Sequence, residues 1–391
     1  MRKVYVVGVG MTAFGKYAEK SVLELGKEAC KEAFENCNAT PKDIEVAFCG
    51  AAGLLDDQLA STPGQKILRQ VGITRIPIFN LESACASSSV ALHNAWNFVA
   101  SGVCDVALVI GVEKMTGKSR EERLAAMSKG SDIEVEKGLT FPGVFGIAAR
   151  RHMHEFGTKR EQIALVSVKN HKHAVYNPKA MYRKELTIEE VLSSPLIADP
   201  LTLYECSPMC DGAAAAIIAS EDVAKKLSDT PIKIEASVYV TGEYSPDPRN
   251  AFITFEPTIR ARKIAYKKAG IENPIKDIDL AEVHDCFAIA EIIHYEDLGF
   301  CRKGEGGKLV EEGVTWLGGD LPVSVSGGLL SKGHPLGATG VAQIVEIVEQ
   351  LRGEAGKRQV DGAEVGLAHC LGGFMSGDAC SATIHILSRN S

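Results

Sequence analysis

Four short blocks of this chain carry residues that could act together on a substrate. Ala84-Cys85-Ala86-Ser87 sets a thiol among small residues, after the strand-like run Ile76–Leu81 and where a helical stretch begins. A thiol placed there feels the positive end of the helix dipole and unpaired backbone N–H groups, which favour the nucleophilic thiolate. Lys332-Gly333-His334-Pro335 holds a histidine between glycine and proline, just before another helix that opens in small residues. A histidine at a helix N-terminus resists protonation and can take the proton of a thiol. Glu282-Val283-His284-Asp285-Cys286-Phe287 and His369-Cys370-Leu371-Gly372-Gly373 both stand at the ends of apolar strand-like runs. Strand ends are where α/β proteins place ligands, and glycines there let backbone N–H groups approach a developing oxyanion. Taken singly, each block also reads as ordinary structure: an inert buried thiol, a tight turn, a structural histidine.

The elements that must position these blocks alternate along the chain. Short Val/Ile/Ala-rich runs are separated by amphipathic stretches, the pattern of an α/β protein. Strands are expected at Val4–Gly8, Val46–Gly50, Val106–Gly111, Ala213–Ala219, Ile232–Val240, Leu280–His284, Val365–Cys370 and Ala382–Leu387. Helices are expected at Val22–Asn36, Cys85–Ala100, Thr258–Ala269, Ala288–Leu298 and Ala338–Leu351. The two ends of the chain share an order of parts. A helix and a Lys-Asp-Ile turn lead into a strand at Pro41–Ala47 and again at Ile275–Ala281. In each copy a small-residue helix start and then an apolar strand follow. Such starts belong in a crowded interior where backbones touch, and the repeated order points to duplication.

Between Glu113 and Asp211 the alternation is lost over about a hundred residues, far longer than an ordinary connection. The division expected is a first half at 1–113 with 211–255, an inserted loop domain at 114–210, and a second half at 256–391. Inserted segments of this kind commonly bind substrate. The insert's histidine pairs, His152/His154 and His171/His173, read as lying on surface helices. Arg150, Arg151 and Lys172 are candidates for meeting ligand phosphates, although charged helix faces are usually just solvated.

Composition narrows the classes. The chain has 391 residues, 45% apolar, 24% charged and a net charge of -7, which speaks against nucleic acid but allows an anionic ligand held locally. Eleven scattered cysteines suit a reducing compartment, so a cytoplasmic location is expected. Met1–Gly8 reads as a first strand, not a signal peptide, and no run reaches membrane-spanning length. Cys206 and Cys210 lack a second ligand pair at suitable spacing, so no metal site is expected.

Together the four blocks resemble the thiolase superfamily over essentially the whole chain. The Cys-x-Ser motif is Cys85-Ala86-Ser87, the Gly-His-Pro motif is Gly333-His334-Pro335, and the Cys-x-Gly motif is Cys370-Leu371-Gly372. Degradative and bacterial biosynthetic thiolases carry Asn-Glu-Ala-Phe where this chain has His284-Asp285-Cys286-Phe287. That form, with Ser326-Gly327-Gly328, is similar to the archaeal and sterol-carrier-protein-type branch. The resemblance implies duplicated βαβαβαββ halves in a layered α/β/α/β/α core. It implies Cys85 as nucleophile, His334 as its base, one oxyanion hole from His284 and His334, and another from the Cys85 and Gly372 amides. The remaining acid/base would be Cys370, or Cys286 as in the sterol-carrier branch. The glycines after Cys370 favour the former.

The reaction implied is that of an acetyl-CoA C-acetyltransferase: two acetyl-CoA condense to acetoacetyl-CoA with release of CoA, in the mevalonate (isoprenoid) route. No tightly bound cofactor is expected, with CoA thioesters as substrates. A homodimer or homotetramer is implied, as is a complex with hydroxymethylglutaryl-CoA synthase and a small OB-fold zinc-ribbon protein. The competing readings are a related ketoacyl or hydroxymethylglutaryl-CoA synthase, and a non-catalytic lipid-binding or scaffold protein. The cysteine of Cys-x-Gly is missing from ketoacyl synthases, and the intact Cys85, His284, His334 and Cys370 set speaks against a scaffold.

Overall fold

Strands buried on both faces need no polar alternation, and the most apolar runs of this chain become such strands. The computed structural model describes residues 1–53, 56–119, 121–122, 137–243, 247 and 249–389. Its strands are β1 (Val4–Met11), β2 (Val46–Gly50), β3 (Ile78–Leu81), β4 (Val106–Glu113), β5 (Leu196–Ala198), β6 (Leu201–Thr202), β7 (Gly212–Ser220), β8 (Ile232–Thr241), β9 (Leu280–Glu282), β10 (Val365–Met375) and β11 (Asp378–Arg389). Its helices are α1 (Val22–Glu35), α2 (Pro63–Arg69), α3 (Ser87–Ser101), α4 (Phe141–Phe156), α5 (Arg160–Ala174), α6 (Ile188–Ser193), α7 (Glu221–Leu227), α8 (Glu256–Ala269), α9 (Pro274–Asp277), α10 (Ala288–Asp297), α11 (Gly306–Glu311) and α12 (Thr339–Arg352). No helix among the described residues is long and apolar enough to cross a membrane.

The sheet runs β3-β2-β4-β7-β1-β8-β11-β10-β9, and its two ends repeat one plan. In the first half β2 is parallel to β3 and β4, β4 is antiparallel to β7, and β7 to β1. In the second, β9 is parallel to β10, β10 antiparallel to β11, and β11 to β8. The place of β3 is taken there by Val323, bridged in parallel to Ala281. The two series join where β1 meets β8, at Tyr5–Lys233 and Val6–Ile232. The repeated order of sequence elements is thus a repeated order of strands.

Helices α3 and α12 lie between the two series. Leu92, Ala95 and Val99 of α3 share one core with Ile344, Val345 and Val348 of α12 and with β-residues of both halves, including Val109 and Leu387. Leu25, Ala29 and Ile67 of α1 and α2 close the outer face of the first series, and Ala261, Ala265 and Tyr295 of α8 and α10 that of the second. The result is the α/β/α/β/α layering expected from the resemblance.

The small residues that open α3 and α12 are explained by contact. A Cβ on Gly340 would stand 2.5 Å from Ser89 Cβ and 2.6 Å from Ser89 N, and one on Gly50 2.4 Å from Ser88 N. The Ser88 hydroxyl accepts a hydrogen bond from Val341 N at 3.1 Å across this contact.

Several sequence expectations need correction. Cys85 lies in a 3-10 turn, Ala84–Ala86, and α3 begins only at Ser87. The strand expected to reach His284 stops at Glu282, because the chain turns to bring Asp285 onto other partners. Strand β8, from the 211–255 segment, pairs with β11 along its length and with β1 at Tyr5 and Val6. His152, His171 and His173 are buried, not superficial. Their polarity suggests a surface position, but each is paired: His152 Nε2 with Glu296 at 3.1 Å, His171 Nδ1 with Ser167 O at 3.0 Å, and His173 Nδ1 with Ser324 O at 3.1 Å. Buried polar groups are tolerated when so satisfied. His154 is exposed, as expected.

The helix contact yields a prediction. Gly340→Ala must push apart two backbones, with a cost of about 1–3 kcal/mol, whereas a Cβ on Gly15 would meet nothing nearer than 3.8 Å. Chemical denaturation should therefore show a clear loss for Gly340→Ala and little change for Gly15→Ala. Equal midpoints for the two variants would contradict the close-contact account.

Candidate active site

Cys85 sits on the turn between β3 and α3. Ala84, just before it, has φ +47°, a left-handed conformation costing a non-glycine residue on the order of 1 kcal/mol or more. Local bonds hold it there: Ala84 N donates to Glu82 Oε1 at 2.7 Å, and Ser87 Oγ donates to Ala84 O at 2.6 Å. The thiol is half-buried against Ala52, Met115, Met209 and Leu336. Burial pushes it up to about 12, and the nearby Glu113 carboxylate adds to the rise. Burial thus opposes the thiolate-favouring effect of the helix start that the sequence points to. Cys85 precedes the first residue of α3, and its apolar surroundings outweigh the helix end.

Glu113, at the end of β4, is buried and had no signal in the sequence. Its carboxylate accepts from Ala52 N at 2.8 Å, Gly53 N at 3.1 Å and Gly337 N at 3.1 Å, so it ties the loop beside Cys85 to the turn after His334.

His334 is oriented by Thr339. Thr339 Oγ1 donates to Pro335 O at 3.0 Å and lies 2.7 Å from His334 Nδ1, which leaves the hydroxyl to accept from Nδ1–H. That assigns the lone pair to Nε2, which is buried and has no hydrogen-bond partner. Burial, then the neighbouring His284, keeps His334 well below the ordinary imidazole value. His334 is therefore a neutral imidazole whose unpartnered Nε2 carries the lone pair.

His284 lies at the end of the β9 connection, its ring edge-on to His334 with centroids 5.2 Å apart. Burial lowers it to about 3. One nitrogen from each of His284 and His334 and the sulfur of Cys85 lie within 4.8 Å of one another, the only group among the described residues whose donor atoms stand close enough to share a metal ion. Its neutral thiol and neutral imidazoles equally suit proton transfer. Asp285 anchors this corner: its carboxylate accepts from Leu329 N at 2.8 Å, Leu330 N at 3.2 Å and Asn170 Nδ2 at 2.8 Å. Burial and the adjacent Glu291 push it up to about 7.

Both remaining thiols join the site. Cys370 Sγ is 3.3 Å from Cys85 O and 3.5 Å from His284 Nδ1. Cys286 is buried close by, its thiol pushed up by burial and then by Cys85, Asp285 and Cys370. Gly372 passes flush against the nucleophile turn: a Cβ there would stand 2.3 Å from Ser83 O and 2.6 Å from Ser381 Oγ. All six candidate positions thus converge, from chain segments nearly three hundred residues apart.

The basic residues singled out in the insert are engaged. Arg150 forms a fork with Asp199, both contacts 2.6 Å, and Arg151 pairs with Glu155 at 2.6 Å. Lys172 lies over the Trp316 ring, 5.5 Å from its centroid. An open cleft of about 550 Å³ lies between α4 and the β5–β6 hairpin, lined by Leu139, Gly146, Ile147, Arg150, Arg151 and Asp199. Thr339, Glu113 and Asp285 were missed as site residues. Thr339 stands where the helix after Gly-His-Pro begins and Asp285 lies inside the His284-Asp285-Cys286-Phe287 block, whereas Glu113 carried no signal.

Known proteins resemble this chain along its length. Residues 4–222 match the family model for the thiolase N-terminal domain, and residues 246–389 the one described as thiolase C-terminal domain-like. An acetyl-CoA acetyltransferase of Methanothermobacter thermautotrophicus is 44% identical over 391 residues, covering the whole of both chains. Sterol carrier protein 2 of Homo sapiens is 40% identical over 95% of this chain and 70% of that protein. Among solved structures, one titled Ltp2-ChsH2(DUF35) aldolase superposes with a TM-score of 0.83 at 25% identity, covering 99% of this chain and 98% of that one. With both halves matched and the thiol–imidazole site assembled between them, the chain belongs to the thiolase family of acyltransferases.

Proposed function

We propose that the chain is an acetyl-CoA C-acetyltransferase that joins two acetyl-CoA into acetoacetyl-CoA and CoA through an acyl-cysteine. The observation that carries this reading is the meeting of Cys85 Sγ with the unpartnered Nε2 side of His334 and with His284, beside Cys370. The 44% identical archaeal relative named acetyl-CoA acetyltransferase supports the substrate.

Each residue then has a step. His334 Nε2 takes the proton of Cys85 as the sulfur attacks the thioester carbonyl. The acyl–sulfur bond to CoA breaks, and CoA leaves with the proton of Cys370, which becomes the thiolate that serves as base in the next step. The amides of Cys85 and Gly372 hold the oxyanion of the acyl-enzyme step. A second acetyl-CoA loses an α-proton to Cys370, and its thioester oxygen, now enolate-like, is held by His284 and by the Nε2–H that His334 has gained. The carbanion attacks the acyl group, a C–C bond forms, and the Cys85–acyl bond breaks. Cys370 is preferred to Cys286 because its sulfur is in contact with both His284 Nδ1 and the Cys85 backbone.

The same reading places the enzyme in the biosynthetic, mevalonate direction, a role resting on the archaeal-type His284-Asp285-Cys286-Phe287 motif. The described cysteines form no disulfide, in keeping with a cytoplasmic setting. A homo-oligomer is favoured by β3, which forms a free sheet edge with Phe79 exposed. A complex with hydroxymethylglutaryl-CoA synthase and a small OB-fold zinc-ribbon protein is also part of the proposal. The double name of the similar Ltp2-ChsH2(DUF35) aldolase structure supports the idea of a partner.

Cleavage of acetoacetyl-CoA by free CoA tests the chemistry. Cys85→Ala is expected to lower kcat by about a thousandfold or more, as loss of a nucleophile does. Cys370→Ala should lose a comparable factor, while Cys286→Ala stays within several-fold of native. The reverse ranking would transfer the base role to Cys286, and an inactive native protein, with its partners supplied, would restore the non-catalytic lipid-binding reading.

The thiol's pH behaviour is a second test. Because burial raises the Cys85 thiol to about 12, the thiolate is scarce at neutral pH and grows as pH rises. Alkylation of Cys85 by iodoacetamide in substrate-free protein should accelerate steadily from pH 7 to 10 without a plateau. A plateau already at pH 7 would mean a preformed thiolate–imidazolium pair.

A further inference from the structure

The parallel ladder between β9 and β10 stops just short of the site. Its last registered pair is Glu282 with Ala368, so the next residues in line are Val283 and His369. These immediately precede His284 and Cys370, the two groups assigned above to the carbanion step. Beyond this point the strands no longer pair, and their side chains enter the site.

Gln343 of α12 spans the gap. Its side-chain amide nitrogen donates to Val283 O at 3.0 Å and to His369 O at 2.9 Å. The side chain is fully buried. Its Oε1 has no hydrogen-bond partner, yet turning the amide over would aim that oxygen at two carbonyl oxygens. The amide orientation is therefore fixed by the carbonyls themselves. Both hydrogens of one –NH₂ replace a rung that the diverging backbones can no longer make.

Gln343 stands four residues after Thr339, on the same face of α12. Thr339 holds His334, and Gln343 holds the backbone ahead of His284 and of Cys370. One helix face thus gathers three motifs that the chain brings from three separate regions. An apolar residue of similar length would fill the space but leave the carbonyl ends of both strands free to shift. An error of about 1 Å in such placement can cost on the order of a hundredfold in rate.

We infer that Gln343 is a positioning residue for the C–C bond step: it sets the separation of His284 and Cys370 by clamping the carbonyls of Val283 and His369. The inference rests on the thiolase reading above. It also separates two activities of one enzyme. Acylation of Cys85 uses His334, the amides of Cys85 and Gly372 and the Cys370 proton, but not the paired placement of Cys370 with His284. Cleavage or formation of the C–C bond needs His284 and Cys370 together.

The experiment compares two rates in native protein, Gln343→Met and Gln343→Leu. The first is exchange of labelled CoA into acetyl-CoA, which reports only acylation of Cys85 and its reversal. The second is acetoacetyl-CoA cleavage. In at least one folded variant, exchange is expected within about threefold of native while kcat for cleavage falls on the order of tenfold to a hundredfold. Equal falls in both rates, alongside a lowered melting temperature, would reduce Gln343 to a packing residue and overturn the inference. So would native-like cleavage. Native protein that exchanges no CoA would instead sink the thiolase reading, an outcome distinct from either.

Discussion

The structure depends on two helix starts meeting with almost no side chain between them. At Gly340 of α12 and Ser89 of α3 there is no room for a Cβ on the glycine, and Gly50 of β2 meets Ser88 of α3 as closely. The Gly340–Ser89 contact joins α3 and α12, the helices that follow the Cys85 turn and the Gly-His-Pro turn. Each half supplies one of them, and each is buried on both sides by sheet. Bringing the starts into backbone contact is what brings Cys85 to His334. A larger residue at the crossing would separate the pair before it touched either catalytic group. The composition of these helix starts is thus set by packing, and the catalytic geometry follows from it.

Dehydration governs the chemistry that the contact creates. His284, His334 and Cys85 are all held in their neutral forms, with burial the main cause in each. Neutral groups keep a buried site affordable in free energy, since an isolated buried charge costs far more than a hydrogen-bonded neutral one. Charge then arises only when a substrate supplies an electrophile and the amides supply donors. The tautomer of His334 is fixed in advance by Thr339, so the proton has one place to go.

The inserted segment acts as structural support from outside these layers. Lys169 of α5 forms a buried ion pair with Glu291 at 2.6 Å and donates to Val323 O at 2.7 Å. Asn170 bridges Glu291 and Asp285 at 2.8 Å each. The residue next to His284 is therefore held by the insert as well as by its own half. Such a network is stable because nearly every donor finds an acceptor, and breaking one partner would leave a buried charge uncompensated.

By itself the sequence determined the alternating α/β elements, the duplication and the identity of the reactive blocks. It could do so because buried strands, helix starts in small residues and short glycine-bounded motifs are local patterns written in consecutive residues. Most expected elements stand within a few residues of their places, and every candidate site residue is in the cluster. What only the tertiary structure decided is longer in range. The thiol at Cys85 is neutral, not ionised, because desolvation depends on neighbours such as Met115 and Leu336 that are far away in the chain. His152 and His173 are buried because their partners, Glu296 and Ser324, come from the second half. Glu113 and Gln343 had no motif to mark them. A carboxylate or an amide becomes a clamp only when folding presents it with three backbone donors or two carbonyls at once, and no spacing along one chain records that.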